Sequence, residues 1–158
     1  MLARDYPGQA CSVARSLELV GERWTLLMIR DVFRGKRRFA EIQESLGVAR
    51  NVLSARLAAL VDEGILERRV YQERPERHEY FLTEKGLDLW PVLVALVGWG
   101  DRHCAGPEGP PAVIVHKGCG GIVDDRRICG ECGARLEVRD ARMLEGDLAR
   151  ERLAAVAH

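Results

Sequence analysis

The sequence predicts an α+β fold that is mainly α-helical, and three observations support this fold class. Apolar residues recur at the spacing of amphipathic helices in several segments between residues 11 and 104. Two short runs containing β-branched and aromatic residues interrupt these segments. Two pairs of metal-ligating residues follow near the C-terminal end. With 158 residues, of which 47% are hydrophobic, the chain is long enough for one domain and a small annex.

Four helices are predicted in the N-terminal part of the chain. The first two, "CSVARSLELVG" and "ERWTLLMIRDVF", each carry one apolar stripe and end at a glycine. The third, "FAEIQESLG", has apolar residues at positions i, i+3 and i+7, and the fourth, "ARNVLSARLAALVDEG", has Leu53, Leu57 and Leu60 on one face. Because only a few residues around Val48 join these two helices, they form a predicted helix-turn-helix.

Two strand-like runs, "ILERRVYQ" and "HEYFLTEKG", follow the fourth helix. The polar segment "ERPER" separates them, so they predict a β-hairpin with a charged tip. A helix-turn-helix followed by such a hairpin is typical of a winged helix. In that fold the fourth helix enters the DNA major groove, and the hairpin lies along the minor groove or the backbone.

A long helix is predicted from about Glu84 to Cys104. In its middle, "LDLWPVLVALVGW", apolar residues occupy nearly the whole circumference. A helix of this kind in a small protein must bury two faces, so we expect part of it to pack against a second subunit. We expect Pro91 to kink this helix or to divide it in two.

The predicted DNA-binding residues come from three places in the chain. The formal net charge is zero, so the prediction depends on local charge. In the fourth helix, Asn51 is expected opposite Leu53, and Asn can form a bidentate pair with adenine, as Arg can with guanine. The basic segment "RGKRR" precedes the third helix, whose amino end is expected to present free N–H groups to phosphate. The candidates are Arg50, Asn51, Ser54 and Arg56 in the fourth helix, Lys36, Arg37 and Arg38 before the third, and Arg74 and Arg77 at the hairpin tip.

These candidates differ in their expected roles. Arg56 is expected near the edge of the core, where it suits a phosphate contact or a salt bridge. For any single arginine, a solvated surface position is the simpler interpretation. For the set, the helix spacing, the outward Asn and Ser and the basic hairpin tip agree, which favours DNA binding over a winged helix used only for protein contact.

The N-terminal two thirds of the chain resemble the HxlR family of bacterial transcription regulators, which are related to the MarR group. The resemblance covers residue 11 to about residue 100, and its strongest parts are "GERWTLLMIRDVFRGKRRFAEI", "NVLSARL", "EGILERRVY" and "HEYFLTEKG". It implies a homodimeric winged-helix protein that binds palindromic operator DNA, with the first and last helices forming the dimer. The chain departs from the family in having Ala49-Arg50 where Ser or Thr followed by Pro is usual. An alternative is therefore that Asn51 caps the fourth helix instead of contacting a base.

The segment "HKGCGGIVDDRRICGECG" has the ligand spacing of a small zinc ribbon. His116 and Cys119 form one pair and Cys129 and Cys132 the other, and each pair ends in Cys-Gly, which lets backbone amides turn toward sulfur. Four N and S ligands favour tetrahedral Zn²⁺, with iron as an alternative. Since protein fills all four positions, we expect a structural metal and not a catalytic one. Free cysteines in a loop and a degenerate ribbon without metal are the competing interpretations.

Five cysteines, an odd number, do not suggest a disulfide framework. Cys11 lies at the start of the first helix, where a thiol can be activated, and the resemblance implies oxidant sensing as one role for it. The simpler interpretation, which we prefer at this stage, is that Cys11 is a small buried residue. For Cys104, at the end of the long helix, we also expect a structural role.

The sequence predicts a homodimeric regulator of transcription that binds double-stranded operator DNA. The alternatives are a protein-interaction module, whose winged helix and zinc ribbon dock a partner, and a thiol redox regulator. No nucleophile-and-base set is evident, so an enzyme is not expected. No segment reaches the roughly 20 apolar residues that span a bilayer, and a cytoplasmic protein is expected. A small-molecule effector is compatible with this fold, but no pattern indicates one.

The expected boundaries follow from these assignments. Residues 1–104 form the DNA-binding and dimerisation domain, and the Gly- and Pro-rich residues 105–111 form a linker. Residues 112–140 form the zinc-ribbon-like module, with strands in "AVIVHK" and "ARLEVRDA". Residues 141–158 form a terminal helix.

Overall fold

The computed structural model describes residues 6–157, and the chain divides into two compact units, Met1–Leu87 and Asp88–His158. The N-terminal unit contains α1 (Ser12–Val20), α2 (Thr25–Phe33), α3 (Phe39–Leu46), α4 (Arg50–Asp62), β1 (Leu66–Glu73), β2 (Glu76–Leu82) and α5 (Glu84–Leu87). The C-terminal unit contains α6 (Trp90–His103), β3 (Ala112–His116), a 3₁₀ helix (Val138–Asp140), β4 (Ala141–Glu145) and α7 (Gly146–Val156). The predicted fold class, mainly helical with small antiparallel sheets, is confirmed.

The core of the N-terminal unit consists of the apolar stripes that predicted its helices. Met28, Ile29, Ile42, Leu53 and Leu57 are all fully buried. The short connection between α3 and α4 is possible because Gly47 ends α3 in the left-handed conformation, with φ of 61°, which residues with a side chain rarely adopt. The two helices form the predicted helix-turn-helix.

Helix α4 begins at Arg50, without a side-chain cap. Ala49 precedes it in an extended conformation, and the Ala49 carbonyl accepts the first helical hydrogen bond from the Leu53 N–H at 3.0 Å. Because the backbone alone starts the helix here, the alternative in which Asn51 serves as the cap is wrong.

The wing is a longer hairpin than the sequence predicts. Strands β1 and β2 are antiparallel, with Leu66 opposite Leu82 and Glu73 opposite Glu76, so only Arg74 and Pro75 remain in the turn. The basic segment before α3 adds a short third edge, since the Tyr80 N–H donates to the Arg37 carbonyl at 2.8 Å. This pairing brings the basic segment beside the wing.

A buried carboxylate lies within α2 and was not predicted. The side chain of Asp31 is completely buried, and its Oδ1 accepts hydrogen bonds from Arg30 Nε at 2.9 Å and Arg30 Nη2 at 2.7 Å. Arg34 Nη1 lies 3.6 Å from the same oxygen. Two guanidinium groups therefore offset the cost of burying this charge.

The predicted long helix is divided in two, which is one of the two outcomes expected of Pro91. Pro91 lies in the first turn of α6, where its missing N–H costs no helical hydrogen bond. The chain divides between Leu87 and Asp88, so α6 groups with the C-terminal segments, whereas the expected boundary lies after residue 104. None of the described helices is long and apolar enough to cross a membrane.

The C-terminal annex, residues 112–157, is built on the antiparallel pair β3 and β4, with α7 packed against it. One apolar cluster lies here: Val113, Val115 and Ala149 are buried, and Ile122, Leu144 and Leu153 pack against them. The expected strand in "ARLEVRDA" is wrong in most of its length, and so is the expected helix over residues 141–145. "ARMLE" forms β4 instead, because its alternating half-buried and exposed residues at the start suit a strand that is covered on one face.

Candidate nucleic-acid interface and metal centre

Helix α4 has one buried face and one exposed face. Leu53 and Leu57 are fully buried and Leu60 is nearly so, whereas Asn51 and Ser54 are exposed. Ala55 and Ala58 are exposed as well, so the outward face carries small and polar side chains. This is the orientation that the sequence predicts, and it leaves room for a base edge to approach the helix.

Arg50 and Arg56, at the amino end and the middle of α4, are held by different partners. The Arg50 guanidinium carbon lies 5.0 Å from the centre of the Phe39 ring. Arg56 Nε lies 3.2 Å from Glu22 Oε2, and its side chain is 25% exposed. Of the two roles expected for Arg56, the structure shows the salt bridge. Sequence patterns did not identify Glu22, because the two residues lie far apart in the chain.

The basic segment before α3 packs its arginines on aromatic rings of the wing. The Arg37 guanidinium carbon lies 4.4 Å from the centre of the Phe81 ring, and that of Arg38 lies 4.6 Å from the Tyr71 ring. Arg38 Nε also donates to Glu79 Oε1 at 3.0 Å. These contacts fix the direction of two exposed cationic side chains, which reduces the entropy cost of any later contact with an anion.

The amino end of α3 is occupied by the protein's own carboxylate. The N–H groups of Arg37 and Arg38 donate to Glu41 Oε2 at 3.0 and 2.9 Å. These hydrogen bonds, from Arg38 first and Arg37 second, lower the pKa of Glu41. The amides of Arg37 and Arg38 are therefore not free for phosphate, since a glutamate three residues into the helix satisfies them.

The tip of the wing exposes the two arginines that the sequence singles out. Arg74 lies in the turn and Arg77 follows it on β2, and both residues are exposed. The Gln72 side-chain amide donates to the Arg74 carbonyl at 3.1 Å, which braces the turn. The side chains at the tip therefore extend from a supported backbone.

The four predicted metal ligands come together in the annex. The ligand atoms of His116, Cys119, Cys129 and Cys132 all lie within 4.8 Å of one another. His116 Nδ1 lies 3.2 Å from Cys119 Sγ and 3.3 Å from Cys132 Sγ, and the sulfurs of Cys119 and Cys129 are 3.4 Å apart. The edges of a tetrahedron of N and S ligands around zinc are about 3.5–3.8 Å, so the set has nearly the size that a metal requires.

The turns around these ligands are suited to hold thiolates. Gly120 and Gly133 have φ of 75° and 70°, which closes each turn after its cysteine. A Cβ on Gly121 would lie 2.4 Å from Cys129 Sγ, so only glycine fits beside that sulfur.

Backbone amides act on the cysteine sulfurs directly. Hydrogen bonds from the backbone amides, that of Cys132 above all, lower the pKa of the Cys129 thiol to about 6. At Cys119 the amide of Gly121 acts in the same direction, but burial and the neighbouring thiols outweigh it and raise the pKa. This cluster can hold a metal ion, and four protein ligands leave no position for a substrate.

Cys11 is exposed, so the preferred expectation of a buried residue is wrong. It caps α1, because the Ala14 N–H donates to Cys11 Sγ at 3.3 Å. Cys104, which follows α6, is exposed as well.

Comparison with known proteins agrees with this architecture. The family description "HxlR-like helix-turn-helix" matches residues 19–107. A protein of Mycobacterium tuberculosis named as an uncharacterized HTH-type transcriptional regulator is 48% identical over 139 residues, which cover 88% of this chain and 87% of that protein.

Two solved structures show how far the similarity extends. The crystal structure of PA1607, titled as a candidate transcription factor, is 38% identical with a TM-score of 0.68 and covers 85% of this chain and 94% of its own. The redox regulator HypR in its oxidized form is 30% identical with a TM-score of 0.56, and its match covers 61% of this chain and 100% of its own. The match to HypR therefore covers only part of this chain, whereas the matches to PA1607 and to the mycobacterial protein cover most of it. The chain belongs to the HxlR-like helix-turn-helix family, a family of transcription regulators and not of enzymes.

Proposed function

We propose that the protein is a homodimeric, sequence-specific regulator that places α4 in the DNA major groove and the wing along the minor groove or the backbone. The observation that carries this proposal is the exposed face of α4, where Asn51 and Ser54 lie over the buried leucines. Such a regulator acts in the cytoplasm, where bacterial DNA is found.

The candidate residues divide into four roles. Asn51 and Ser54 contact base edges, and Arg50 contacts a guanine or a phosphate beside them. Arg74 and Arg77 contact the narrow minor groove or the phosphates. Lys36, Arg37 and Arg38 contact phosphates along the same DNA strand. Arg56, which is held by Glu22, orients α4 and contributes less to the DNA contact.

The exposed apolar side chains support the proposed dimer. On α1, Val13 is 68% exposed, and on α6, Val92, Leu96 and Trp99 are 45%, 47% and 54% exposed. Apolar surface of this kind is usually covered by another protein. We propose that a second copy of the chain covers it, which also gives the two-fold symmetry that a palindromic operator requires.

We propose that the metal of the annex is a structural Zn²⁺. The ligand set of three cysteines and one histidine, the close spacing of their ligand atoms and the amides that lower the pKa of Cys129 all favour zinc. One zinc per chain in metal analysis of the purified protein is the expected result, and substoichiometric metal after growth with added zinc contradicts this part of the proposal.

DNA binding is tested by fluorescence anisotropy with fragments enriched from the organism's own genome. The double variant Arg74→Ala/Arg77→Ala is expected to weaken binding to all sequences and to reduce the salt dependence by about one to two counterions. Asn51→Ala is expected to cost about 1–3 kcal/mol on the preferred site and little on random DNA. Arg150→Ala, an exposed arginine on α7 that pairs with Asp147, is the matched control. A dimer that binds no genomic fragment at low salt contradicts the proposal. If Arg74→Ala/Arg77→Ala and Asn51→Ala capture a partner protein equally well, a protein-docking module is favoured instead.

A second candidate function, redox regulation through Cys11, has one observation in its favour. The thiol is exposed at the start of α1, where a backbone amide donates to its sulfur. If it senses oxidants, Cys11→Ser removes the loss or gain of DNA affinity that peroxide causes, whereas Cys104→Ser leaves that response intact. An unchanged response in Cys11→Ser excludes this cysteine.

A further inference from the structure

The loop between the two ligand pairs, residues 120–128, rests on α6. Arg102 Nη1 on α6 lies 2.5 Å from Asp125 Oδ2 in this loop. At the other end of the helix, the guanidinium carbon of Arg127 lies 5.9 Å from the centre of the Trp90 ring. Arg127 also pairs with Glu137 at 3.3 Å. The loop thus contacts both the first and the last turns of α6.

Between these two contacts, the backbone of α6 and the loop approach closely. A Cβ added at Gly98 would lie 2.4 Å from the Cβ of Asp125, whereas a Cβ added at Gly100 would meet nothing within 4 Å. The atom that would collide is the first carbon of the Asp125 side chain, which cannot move away without its backbone. Gly98 is therefore a docking position for the loop.

The loop is closed by the same residues that would hold the metal. Its ends lie next to Cys119 and Cys129, and a short antiparallel bridge pairs Val123 with Cys129. Asp124 Oδ1 shapes the tip by accepting hydrogen bonds from the N–H groups of Arg126 and Ile128 at 2.9 and 2.8 Å. A metal bound by both Cys119 and Cys129 fixes the two ends of this loop, while the tip of the loop contacts α6.

The face of α6 that the loop contacts lies opposite its exposed apolar face. At about 100° per residue, Trp90, Gly98 and Arg102 fall within about 120° of one another. Val92, Leu96 and Trp99 fall on the other side of the helix, and these are the side chains that are about half exposed. The loop therefore packs on one face of α6 and leaves the apolar face of that helix exposed.

We propose that Asp125 and Arg127 are positioning residues through which the metal of the annex orders α6 for dimerisation. Loss of the metal frees the ends of the loop, and the loop then loses its contacts with Trp90, Gly98 and Arg102. The dimer becomes weaker, although the residues that contact DNA are unchanged. The inference rests on the proposed zinc site and on the proposed dimer. It makes operator binding depend on a metal whose ligands are not among the proposed DNA-binding residues.

The first test compares amide hydrogen exchange of the full chain loaded with zinc and after removal of zinc by a chelator. Amides of α6 are expected to exchange several-fold faster without the metal, and those of α4 at an unchanged rate. Sedimentation of the same samples is expected to show a weaker dimer without zinc. If zinc is bound and removed with no change in α6 exchange or in dimer dissociation, the inference is overturned while the zinc site stands. A chain that binds no zinc overturns both.

The second test uses the two glycines of α6 in the zinc-loaded protein. Gly98→Ala is expected to speed exchange in both α6 and the loop, although alanine favours a helix. Gly100→Ala, the matched control, is expected to slow α6 exchange or leave it unchanged. Asp125→Gly removes the atom that collides with the new methyl group, so adding Gly98→Ala to Asp125→Gly is expected to speed exchange no further. Equal effects of Gly98→Ala and Gly100→Ala, with one zinc per chain in each, overturn the docking role of Gly98.

The third test removes the ion pair. Asp125→Ala is expected to raise the dimer dissociation constant by about threefold in the zinc-loaded protein, the size typical of a partly exposed pair, and to have no effect after zinc is removed. Arg126→Ala, an exposed neighbour in the same loop, is the control. An effect of Asp125→Ala that is equally large with and without zinc overturns the coupling, because the contact would then act without the metal.

Discussion

The N-terminal unit and the C-terminal annex achieve a stable fold by different means. The helices of the N-terminal unit enclose large side chains that are fully buried, among them Met28, Ile29 and Leu57. The annex buries Val113, Val115 and Ala149 as the centre of one apolar cluster, and Ile114, Val123, Leu136 and Cys129 are buried as well. The side chains buried in the annex are mostly smaller than those of the N-terminal unit, and the proposed metal would add four cross-links at one point.

The same difference governs what each unit does. The N-terminal unit keeps its shape through packing, so it can leave the outer face of α4 and the wing tip free of any structural task. In the annex, the residues that would bind the proposed metal are also the chemically reactive ones. If the annex holds the proposed metal, a change in metal supply or in the oxidation of its cysteines is expected to alter the structure of the annex before it alters that of the N-terminal unit.

The largest effect is expected from Cys129→Ser. This variant replaces the buried ligand, so zinc affinity is expected to fall by more than about 100-fold, since zinc supplies much of the folding free energy of such small modules. Nuclear magnetic resonance of the full chain checks this, because the annex signals are expected to lose dispersion while those of α2 to α4 do not. Cys104→Ser, which alters an exposed cysteine outside the ligand set, is expected to keep its zinc and its spectrum. If Cys129→Ser keeps both, the annex is held by packing and the contrast between the units is wrong.

An intermediate effect is expected from Leu57→Ala. Leu57 is fully buried on the inner face of α4, and truncation of such a leucine costs about 2–5 kcal/mol. The N-terminal unit is expected to unfold at lower denaturant concentration, while the zinc content of the folded protein stays at one per chain. Ala59→Ser, an exposed change on the same helix, is expected to shift the transition by less than about 0.5 kcal/mol. If Leu57→Ala also releases zinc under native conditions, the two units are not stabilised separately.

The fold of the N-terminal unit could be predicted because its signals are local. The spacing of Leu53, Leu57 and Leu60 places the inner face of α4, and the glycine at position 47 ends α3. Each of these depends on residues within a few positions of one another. The ligand set of the annex could be predicted for a similar reason, since each pair spans only a short turn.

The features that the sequence did not reveal depend on contacts between distant residues. Nothing near Arg56 in the chain indicates that Glu22 pairs with it, and nothing near Asp125 indicates Arg102. Strand β4 was missed because its apolar and polar residues also fit the start of a helix, and its pairing with β3 decides between the two. Long-range partners set these choices, and a single sequence does not contain them as a pattern.

The smallest effect is expected from Glu41→Ala, at the start of α3. Glu41 accepts the N–H groups of Arg37 and Arg38, and loss of such a cap costs about 0.5–1 kcal/mol. The pKa of Glu41 is lowered in the folded state. Its contribution is therefore full above about pH 5, where the unfolded carboxyl with a pKa near 4.3 is ionised, and is lost as the pH falls through the lower folded-state pKa.

Denaturant unfolding of Glu41→Ala at neutral and acidic pH checks this prediction, with Glu44→Ala, an exposed glutamate on the same helix, as the control. The difference between the two variants is expected to shrink toward low pH. Glu41→Gln keeps an acceptor for the two amides but removes the charge, so its stability is expected to lie between those of the wild type and Glu41→Ala. If Glu41→Ala instead strengthens DNA binding, the two amides that the carboxylate occupied have become available to a phosphate. In that case Glu41 stabilises α3 in the wild type by occupying part of a site that could bind an anion.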